Sequence, residues 1–350
     1  MKAVVTRQES TKSLVNNFPL EALILNPGSA PLTRNIEDYP DGIIIPIDKP
    51  YRWTSADVIR KVKYAAIRHF GKKNLKVGHA GTLDPLATGI LLVCIGKATK
   101  LAETLQSHDK EYIAGVTFGA TTPSYDLEKE IDRMFPYEHI TAESIQDVLP
   151  AFIGEQDQVA PLFSAKSVDG IRAYELARKL HKEGKTLDEA AQELIRTSRI
   201  TISDLELMEF NESYDREGGR DCEDRATRGT EDGVVSDQQM IQRIFAANSA
   251  ERSGGVSEAN VRASLPSSPA EDESNASSRI NVTDNSELGL PHASIRMACS
   301  KGTYVRAFAR DLGEALNSGA HLDSLQRSRS GIFRVENALS IEQALEKLAQ

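Results

Sequence analysis

Apolar positions along the chain follow two patterns. Continuous or alternating apolar runs predict strands, and they cover residues 42–50, 75–81, 89–100 (running on into a helix), 110–122, 194–210 and 292–299. Apolar residues spaced three or four apart predict amphipathic helices, over 54–70, 141–154, 170–184, 304–317 and 340–350. Because the two kinds of element do not alternate strictly, we expect an α+β fold in which a mixed, largely antiparallel sheet is flanked by helices.

Two segments show neither pattern. Residues 1–40 contain the turn-forming sequence NPGSAP, and we expect an N-terminal extension with at most local structure. Residues 211–290 are rich in Ser, Gly, Asn and charged residues, so they cannot bury enough apolar area to offset the entropy lost on ordering. We expect this insert to be disordered and to enlarge a hairpin between its two flanking strands. The domain prediction is therefore one catalytic domain over 41–350, interrupted by the insert at 211–290.

Composition and charge limit the classes of protein that fit. The 350 residues are 40% hydrophobic, no apolar run reaches the length of a membrane span, and the first residues lack the apolar core of a secretory signal. Three cysteines without disulfide or zinc spacing indicate a reducing cytoplasm. Most of the net charge of −9 comes from the insert, which holds sixteen acidic residues, eight Arg and no Lys. Lys and Arg cluster at 60–76, 166–185 and 296–334, as phosphate contacts require, although solvated helix faces would give the same clusters.

The segment VGHAGTLDPLATGILL, residues 77–92, surrounds one carboxylate with glycines. Gly78, Gly81 and Gly89 permit tight backbone geometry, and Pro85 fixes the backbone directly after Asp84. Such a loop presents an acid rigidly, yet an Asp-Pro pair in a glycine-rich loop is by itself more typical of a turn. The glycine spacing does not match a phosphate-binding loop.

GHAGTLDPLATG resembles the catalytic motif of the TruB family of pseudouridine synthases. Four other segments resemble that family's motifs in the same order: IDKPYRWTSADVIRKVK, HDKEYIAGVTFGATTPSYDLEKE, PLFSAKSVDGIRAYELARK and CSKGTYVRAFARDLG. The resemblance covers residues 42–205 and 290–345. It implies the pseudouridine synthase fold, tRNA as substrate and isomerisation of the T-loop uridine at position 55. The base is flipped out, the N-glycosidic bond is cut, and C5 of the uracil is joined to C1′. Because the reaction uses no energy source and transfers no electrons, no cofactor and no metal are expected.

By the same resemblance, Asp84 is the catalytic nucleophile and Arg306, in KGTYVR, is its supporting cation. A carboxylate can attack either the sugar or the uracil ring, and both routes remain open from the sequence. In either route the carboxylate must be ionised when it acts, and a nearby cation favours the ionised form.

The resemblance assigns four further residues. Tyr112 stacks on the flipped base and supports catalysis, although a phenol with a pKa near 10 is a poor base at neutral pH. Tyr304 is a second aromatic residue of the uracil pocket, and Leu325 lines that pocket. His79 contacts the T loop and helps to hold the base out of its stack. Without the motifs, each would be interpreted as ordinary packing.

The chain departs from the family pattern at two places. In FSAKSVDG, Lys166 lies one position before the usual lysine site, which Ser167 occupies, so Lys166 receives no role. The chain also ends soon after the last motif, which leaves no room for a C-terminal RNA-binding domain. We expect a monomer without an obligatory protein partner. Two alternatives are a guide-RNA-dependent pseudouridine synthase, which would need a longer C-terminal module, and a tRNA-binding folding factor with incidental catalysis.

Overall fold

A central sheet organises the protein. The computed structural model describes residues 22–161, 163, 167–168, 171–172, 197–213, 280 and 282–349. Within these ranges the sheet has ten strands, eight of them in the order β1-β2-β4-β13-β5-β12-β11-β8, while β3 pairs with β4 and β14 with β13. The strands are β1 (Leu23–Ile24), β2 (Ile43–Lys49), β3 (Val77–His79), β4 (Ala87–Ile95), β5 (Lys110–Phe118), β8 (Gly154–Gln158), β11 (Ser198–Asn211), β12 (His292–Cys299), β13 (Ala320–Ser330) and β14 (Phe333–Arg334). Two short hairpins, β6 (Ala120–Thr121) with β7 (Arg133–Met134) and β9 (Ser167–Val168) with β10 (Ile171–Arg172), lie outside it.

The sheet is mixed and largely antiparallel. Its parallel pairs are β1 with β2 and β4 with β13, and its other strand pairs are antiparallel. The helices are α1 (Ser55–Phe70), α2 (Ala102–Ser107), α3 (Ala142–Val148), α4 (Val305–Ala315) and α5 (Ile341–Lys347). None of the helices in these ranges is long and apolar enough to cross a membrane. The predicted α+β class is confirmed.

Continuous apolar runs became strands that are buried on both faces. In β2, Ile43, Ile45 and Ile47 enter the main hydrophobic cluster, whereas Ile44 enters a smaller cluster on the other side. The alternate residues of β4 divide between the same two clusters. Side chains of a strand point alternately to its two faces, so a run without polar breaks marks a strand covered on both.

The helix predicted after Thr54 is confirmed, and its sequence explains both of its ends. Thr54 accepts a hydrogen bond from the Asp57 backbone N–H, and the Asp57 carboxylate accepts one from the Thr54 backbone N–H, which completes a capping box. Gly71 ends the helix in the left-handed conformation, with φ of 62°. Its apolar face, which includes Val58 and Val62, packs into the main cluster.

β13, a central strand, was not predicted. It lies between β4 and β5, pairing with β5 along most of its length and with β4 over residues 325–327. Its sequence, AHLDSLQRSRS, has no apolar run and no regular alternation, because buried polar residues such as Arg327 and Ser328 take the places of apolar ones. The tertiary contacts of those polar groups make the segment a strand.

Residues 22–38 are better ordered than expected. Leu23 and Ile24 pair with β2, Leu25 is fully buried, and Leu32 and Ile36 join the main cluster. The expectation of at most local structure was therefore wrong for this part of the N-terminal extension, because its isolated apolar residues dock on the sheet. Residues 1–21 lie outside the described residues.

The predicted hairpin on either side of the insert is confirmed, since Asn211 pairs with His292 at the ends of β11 and β12. Residues 214–279, most of the insert, lie outside the described residues, so its disorder stays a prediction.

The helix predicted over 170–184 was wrong at its start, where Ile171–Arg172 form β10. Its remaining residues, 173–184, also lie outside the described part of the chain.

Candidate active site

The catalytic loop predicted from the glycines joins β3 to β4. The buried hydroxyl of Ser55, at the first turn of α1, donates to the Leu83 carbonyl at 3.1 Å and accepts from the Leu83 N–H at 3.0 Å. The Asp84 carbonyl accepts a hydrogen bond from the Ala87 N–H at 3.1 Å. These contacts fix the backbone immediately before and after the carboxylate, so its aim is determined by the loop.

Arg327, in β13, holds the same loop from the other side. It is 2% exposed, and its guanidinium donates to the carbonyls of Ile90 at 2.8 Å, Gly81 at 3.1 Å and Thr82 at 3.4 Å. A planar guanidinium with five donors reaches three carbonyls spread along the loop and β4. Arg327 therefore ties the loop to the centre of the sheet.

Lys49, at the end of β2, lies under the loop and is fully buried. Its ammonium donates to the carbonyls of Trp53 at 2.5 Å, Pro50 at 2.9 Å and Pro85 at 3.1 Å. Burial lowers the pKa of Lys49 to about 8, although the nearby Asp84 carboxylate partly opposes this shift. The lysine thus adds positive charge and three backbone contacts beside the catalytic loop.

The two residues expected to act together are in direct contact. The Arg306 Nη2 atom lies 2.9 Å from Asp84 Oδ2, with side-chain exposures of 7% and 40%. The arginine projects from the first turn of α4 and is buried, whereas the carboxylate remains open to solvent. The ion pair therefore holds the carboxylate against a buried cation and leaves it accessible from outside the protein.

A second carboxylate, Asp126, completes the surroundings of Arg306. The Arg306 Nη1 atom lies 3.4 Å from Asp126 Oδ2 and donates to the Ser124 carbonyl at 3.1 Å. Tyr125, between them, has a φ of 56°, a conformation that non-glycine residues adopt at some cost. It turns the Ser124 carbonyl and the Asp126 carboxylate towards the same guanidinium.

The acidic groups around Arg306 outnumber its single positive charge. Burial alone would lower the pKa of Arg306, but Asp84, Asp126 and Glu128 outweigh it, and the pKa lies above its ordinary value. Burial raises the pKa of Glu128 to about 7, and the neighbouring Asp126 carboxylate adds to the shift. One arginine therefore faces three acidic groups, of which Glu128 gives up its proton only near neutral pH.

The remaining candidate residues lie on the elements around the loop. Tyr112, in β5, is paired with Arg327 in register and is 9% exposed. Burial raises the pKa of Tyr112, which argues further against a role as a base at neutral pH. His79 ends β3 just before the loop, and burial lowers the pKa of its imidazole, with Arg327 contributing. The neutral form is therefore favoured, as stacking or hydrogen bonding to a base requires.

Leu325 and Tyr304 are placed by the sheet and by α4. Leu325 is half-buried in β13 and pairs with Ala87, at the end of the loop, on one side and with Ala114 on the other. Tyr304 caps α4 two residues before Arg306, and its backbone is fixed by Gln158, which exchanges hydrogen bonds of 2.8 and 3.2 Å with it. The structure thus joins Asp84 and Arg306 directly and distributes the other four candidates over β3, β5, β13 and α4.

Comparison with known proteins identifies the family. The model of the TruB family pseudouridylate synthase (N terminal domain) matches residues 68–223. The tRNA pseudouridine synthase B of Phocaeicola vulgatus is 40% identical over 313 residues, which make up 89% of this chain and 96% of that protein. This chain belongs to the TruB family. The tRNA pseudouridine synthase B of Bacteroides thetaiotaomicron is 39% identical, covering 87% of this chain and 92% of that protein. A solved Cbf5-Nop10-Gar1 complex matches 92% of this chain and 58% of that one at 20% identity, with a TM-score of 0.48.

The motifs did not reveal every residue of this TruB-family site. Asp126, Arg327 and Lys49 were not identified from the sequence, although each holds Arg306 or the catalytic loop. Lys49 left one signal, a charged residue at the end of the apolar run IIIPIDK. Asp126 left only its place in a segment that resembles a family motif, and Arg327 left no signal, because the charges of both are explained only by groups that are distant in sequence.

Proposed function

We propose that this chain isomerises the uridine at position 55, in the T loop of tRNA, to pseudouridine, with Asp84 as the nucleophile. The observation that carries the proposal is the ion pair between the accessible Asp84 and the buried Arg306 in a loop held on two sides. Family membership makes the chain a pseudouridine synthase. The names of its relatives support tRNA as the substrate.

The reaction balances within the substrate. The N1–C1′ bond breaks, the uracil turns in the pocket, and C5 bonds to C1′. C5 loses a proton and N1 gains one, so neither electrons nor another group have to be supplied. Asp84 attacks either the sugar or the uracil ring and leaves again at the end. The Arg306 guanidinium stabilises the negative charge of the carboxylate before the attack and after its release.

The pocket residues hold the flipped base against this acid. Tyr112 stacks on the uracil, while Leu325 and Tyr304 line the space in which it turns. His79 precedes the catalytic loop, contacts the T loop and helps to hold the base out of its stack. A half-buried imidazole with a lowered pKa suits that role, because a base stack tolerates an aromatic ring better than a charge.

A basic cavity supports RNA as the partner. It has a volume of about 480 Å³ and lies beside β3, lined by Lys63, Lys73, Lys76 and neighbouring backbone. These lysines are exposed and make no ion pair within the described part of the chain. Phosphates near the T loop fit such a site.

We place the enzyme in the cytoplasm, as a monomer that needs no protein partner.

The decisive experiment maps pseudouridine on unmodified tRNA transcripts incubated with the purified protein alone. The wild type should modify position 55 without guide RNA, and Asp84→Asn should form no detectable product while binding tRNA within about threefold of the wild type. If the Asn variant kept a few per cent of the activity, a nucleophilic Asp84 would be untenable. If the wild type needed a guide RNA, the guide-dependent alternative would replace the proposal.

A further inference from the structure

Thr283 ties the end of the insert to the site just described. Its backbone N–H donates to the Leu127 carbonyl at 2.8 Å. Its hydroxyl lies 3.1 Å from each of two carbonyl oxygens, those of Leu127 and Lys129. These contacts join residues more than 150 positions apart in the chain.

The loop that Thr283 holds is the one that carries the second carboxylate. Residues 127–129 directly follow Asp126, and the Glu128 N–H donates to Asp126 Oδ1 at 3.0 Å. Leu127 is only 3% exposed, so its position is fixed by packing as well. No sheet ladder supports residues 122–132, which consist of turns. The carboxylate of Asp126 is therefore aimed at Arg306 by a loop that the Ser124 hydroxyl, 2.6 Å from Asp126 Oδ1, holds on its near side and that Thr283 contacts on its far side.

A second contact places the same segment beside the catalytic loop. The Ile280 carbonyl accepts a hydrogen bond from Arg52 Nη2 at 2.8 Å. Arg52 has a φ of 64°, and its N–H donates to the carbonyl of Pro85, the residue after Asp84, at 3.0 Å. Three residues of any chain span at most about 10 Å. The short stretch from Ile280 to Thr283 therefore connects supports of the Asp84 loop with supports of the Asp126 loop.

We propose that Thr283 is a positioning residue of the reaction, acting through Asp126 on Arg306 and so on Asp84. The two hydrogen bonds from its N–H and hydroxyl hold the 127–129 backbone, the Glu128 N–H fixes the Asp126 carboxylate, and that carboxylate shares the Arg306 guanidinium with Asp84. Small displacements in such a chain reduce the rate of the chemical step more than substrate affinity, because reacting groups must be aligned closely. The proposal rests on the proposed function.

The experiment uses the full-length protein and tRNA transcript at saturation. Thr283→Val keeps the shape of the side chain but removes the hydroxyl, and Thr283→Ser restores it. Ser286→Ala is the matched control, because the Ser286 hydroxyl donates to Asp284 within its own segment, at 2.7 Å. We expect the single-turnover rate constant of Thr283→Val to fall about tenfold, with tRNA affinity within about twofold of the wild type. Thr283→Ser and Ser286→Ala should both keep nearly the full rate.

A double-mutant cycle with Asp126→Asn separates positioning from a general loss of stability. If Thr283 acts through Asp126, adding Thr283→Val to Asp126→Asn should reduce the rate by less than about twofold more. Additive losses, an unchanged rate in Thr283→Val, or a loss confined to tRNA affinity would each overturn the proposal. Failure of the wild type to modify position 55 would instead overturn the proposed function, and the same assay reports both results.

Discussion

At the scale of single residues, the two carboxylates of the site share one buried cation, Arg306. Arg306 contacts Asp84, Asp126 and the Ser124 carbonyl. A buried ion pair gains little net stability, but removing one partner leaves the other charge without compensation. In this site the arginine also separates two carboxylates that would otherwise face each other. Arg306 therefore both compensates negative charge and keeps the two carboxylates in place.

Replacing Arg306 should affect turnover more than binding. We expect Arg306→Ala to lower the single-turnover rate about a hundredfold or more, and Arg306→Lys to recover only part of it, because an ammonium cannot serve three acceptors in one plane. tRNA affinity should change less than about threefold. Rates measured from neutral to mildly acidic pH provide the check, and full activity of Arg306→Ala would remove this residue from the mechanism.

The raised pKa of Glu128 predicts a pH dependence of the free energy of unfolding. Its pKa is raised to about 7 in the folded protein, above the ordinary value of 4.5. As pH rises between these values, the unfolded chain loses this proton first, so the folded state is progressively destabilised, and the cost is complete above about pH 7. Glu128→Gln avoids that cost. It should be more stable than the wild type at pH 8, by on the order of 1 kcal/mol, with little difference near pH 4.5.

Thermal unfolding at several pH values measures this difference. Glu130→Gln, an exposed position on the same loop, is the control and should match the wild type throughout. A Glu128→Gln advantage that is equal at acidic and alkaline pH would contradict a raised pKa.

At the scale of elements, the close approach of β4 and β13 determines where the catalytic loop ends. Gly89, in β4, has a φ of 95°, and a Cβ there would lie 2.3 Å from the Arg327 carbonyl oxygen and 2.7 Å from its nitrogen. Only glycine allows both the backbone conformation and the contact. Gly89, which belongs to the glycine-rich segment around Asp84, thus allows β4 and β13 to pack closely.

Alanine at this position should separate the two strands. We expect Gly89→Ala to destabilise the fold by about 2 kcal/mol or more and to lose activity with it, since Arg327 could no longer hold the loop. Gly78→Ala is the control, because nothing lies within 4 Å of a Cβ at that position. Denaturant unfolding measures both, and equal stability of the two variants would contradict this account of Gly89.

At the scale of the whole molecule, an acidic protein binds a polyanion through local charge. Despite the net charge of −9, the cavity beside β3 is basic. Neutralising phosphates releases counterions, so log affinity for tRNA should fall linearly with log salt. Lys63→Ala with Lys76→Ala should reduce the slope by about 1 to 2 units.

Lys72 provides the matched control for the salt experiment. It is close in sequence, but its ammonium already pairs with Glu37 at 2.7 Å. Filter binding of Lys72→Ala over a salt series should give nearly the wild-type slope. A flat salt response of the wild type would mean that recognition rests on stacking and shape alone.

The insert gives the last prediction. Deleting residues 214–279, with a short Gly/Ser bridge, removes thirteen acidic residues and eight Arg but keeps the Asn211–His292 pair and Thr283. Because loop closure costs grow only logarithmically with length, we expect a folded, active enzyme with equal or tighter tRNA binding at low salt. Deleting 211–290 instead should lower the rate. Thermal unfolding and single-turnover kinetics of both variants test this prediction. A large loss of stability or rate on deleting only residues 214–279 would show that the insert contributes to folding or catalysis.

The sequence by itself predicted most of the elements and singled out Asp84 as the candidate acid. Continuous apolar runs, the cap at Thr54 and the glycines around Asp84 depend on neighbours along the chain, so they could be interpreted locally. Only the tertiary structure decided that AHLDSLQRSRS is a central strand, that Asp126 and Arg327 hold the site, and that Thr283 reaches it. Those polar residues are held by partners more than a hundred positions away, and a polar residue is stable in the interior only when such a partner exists.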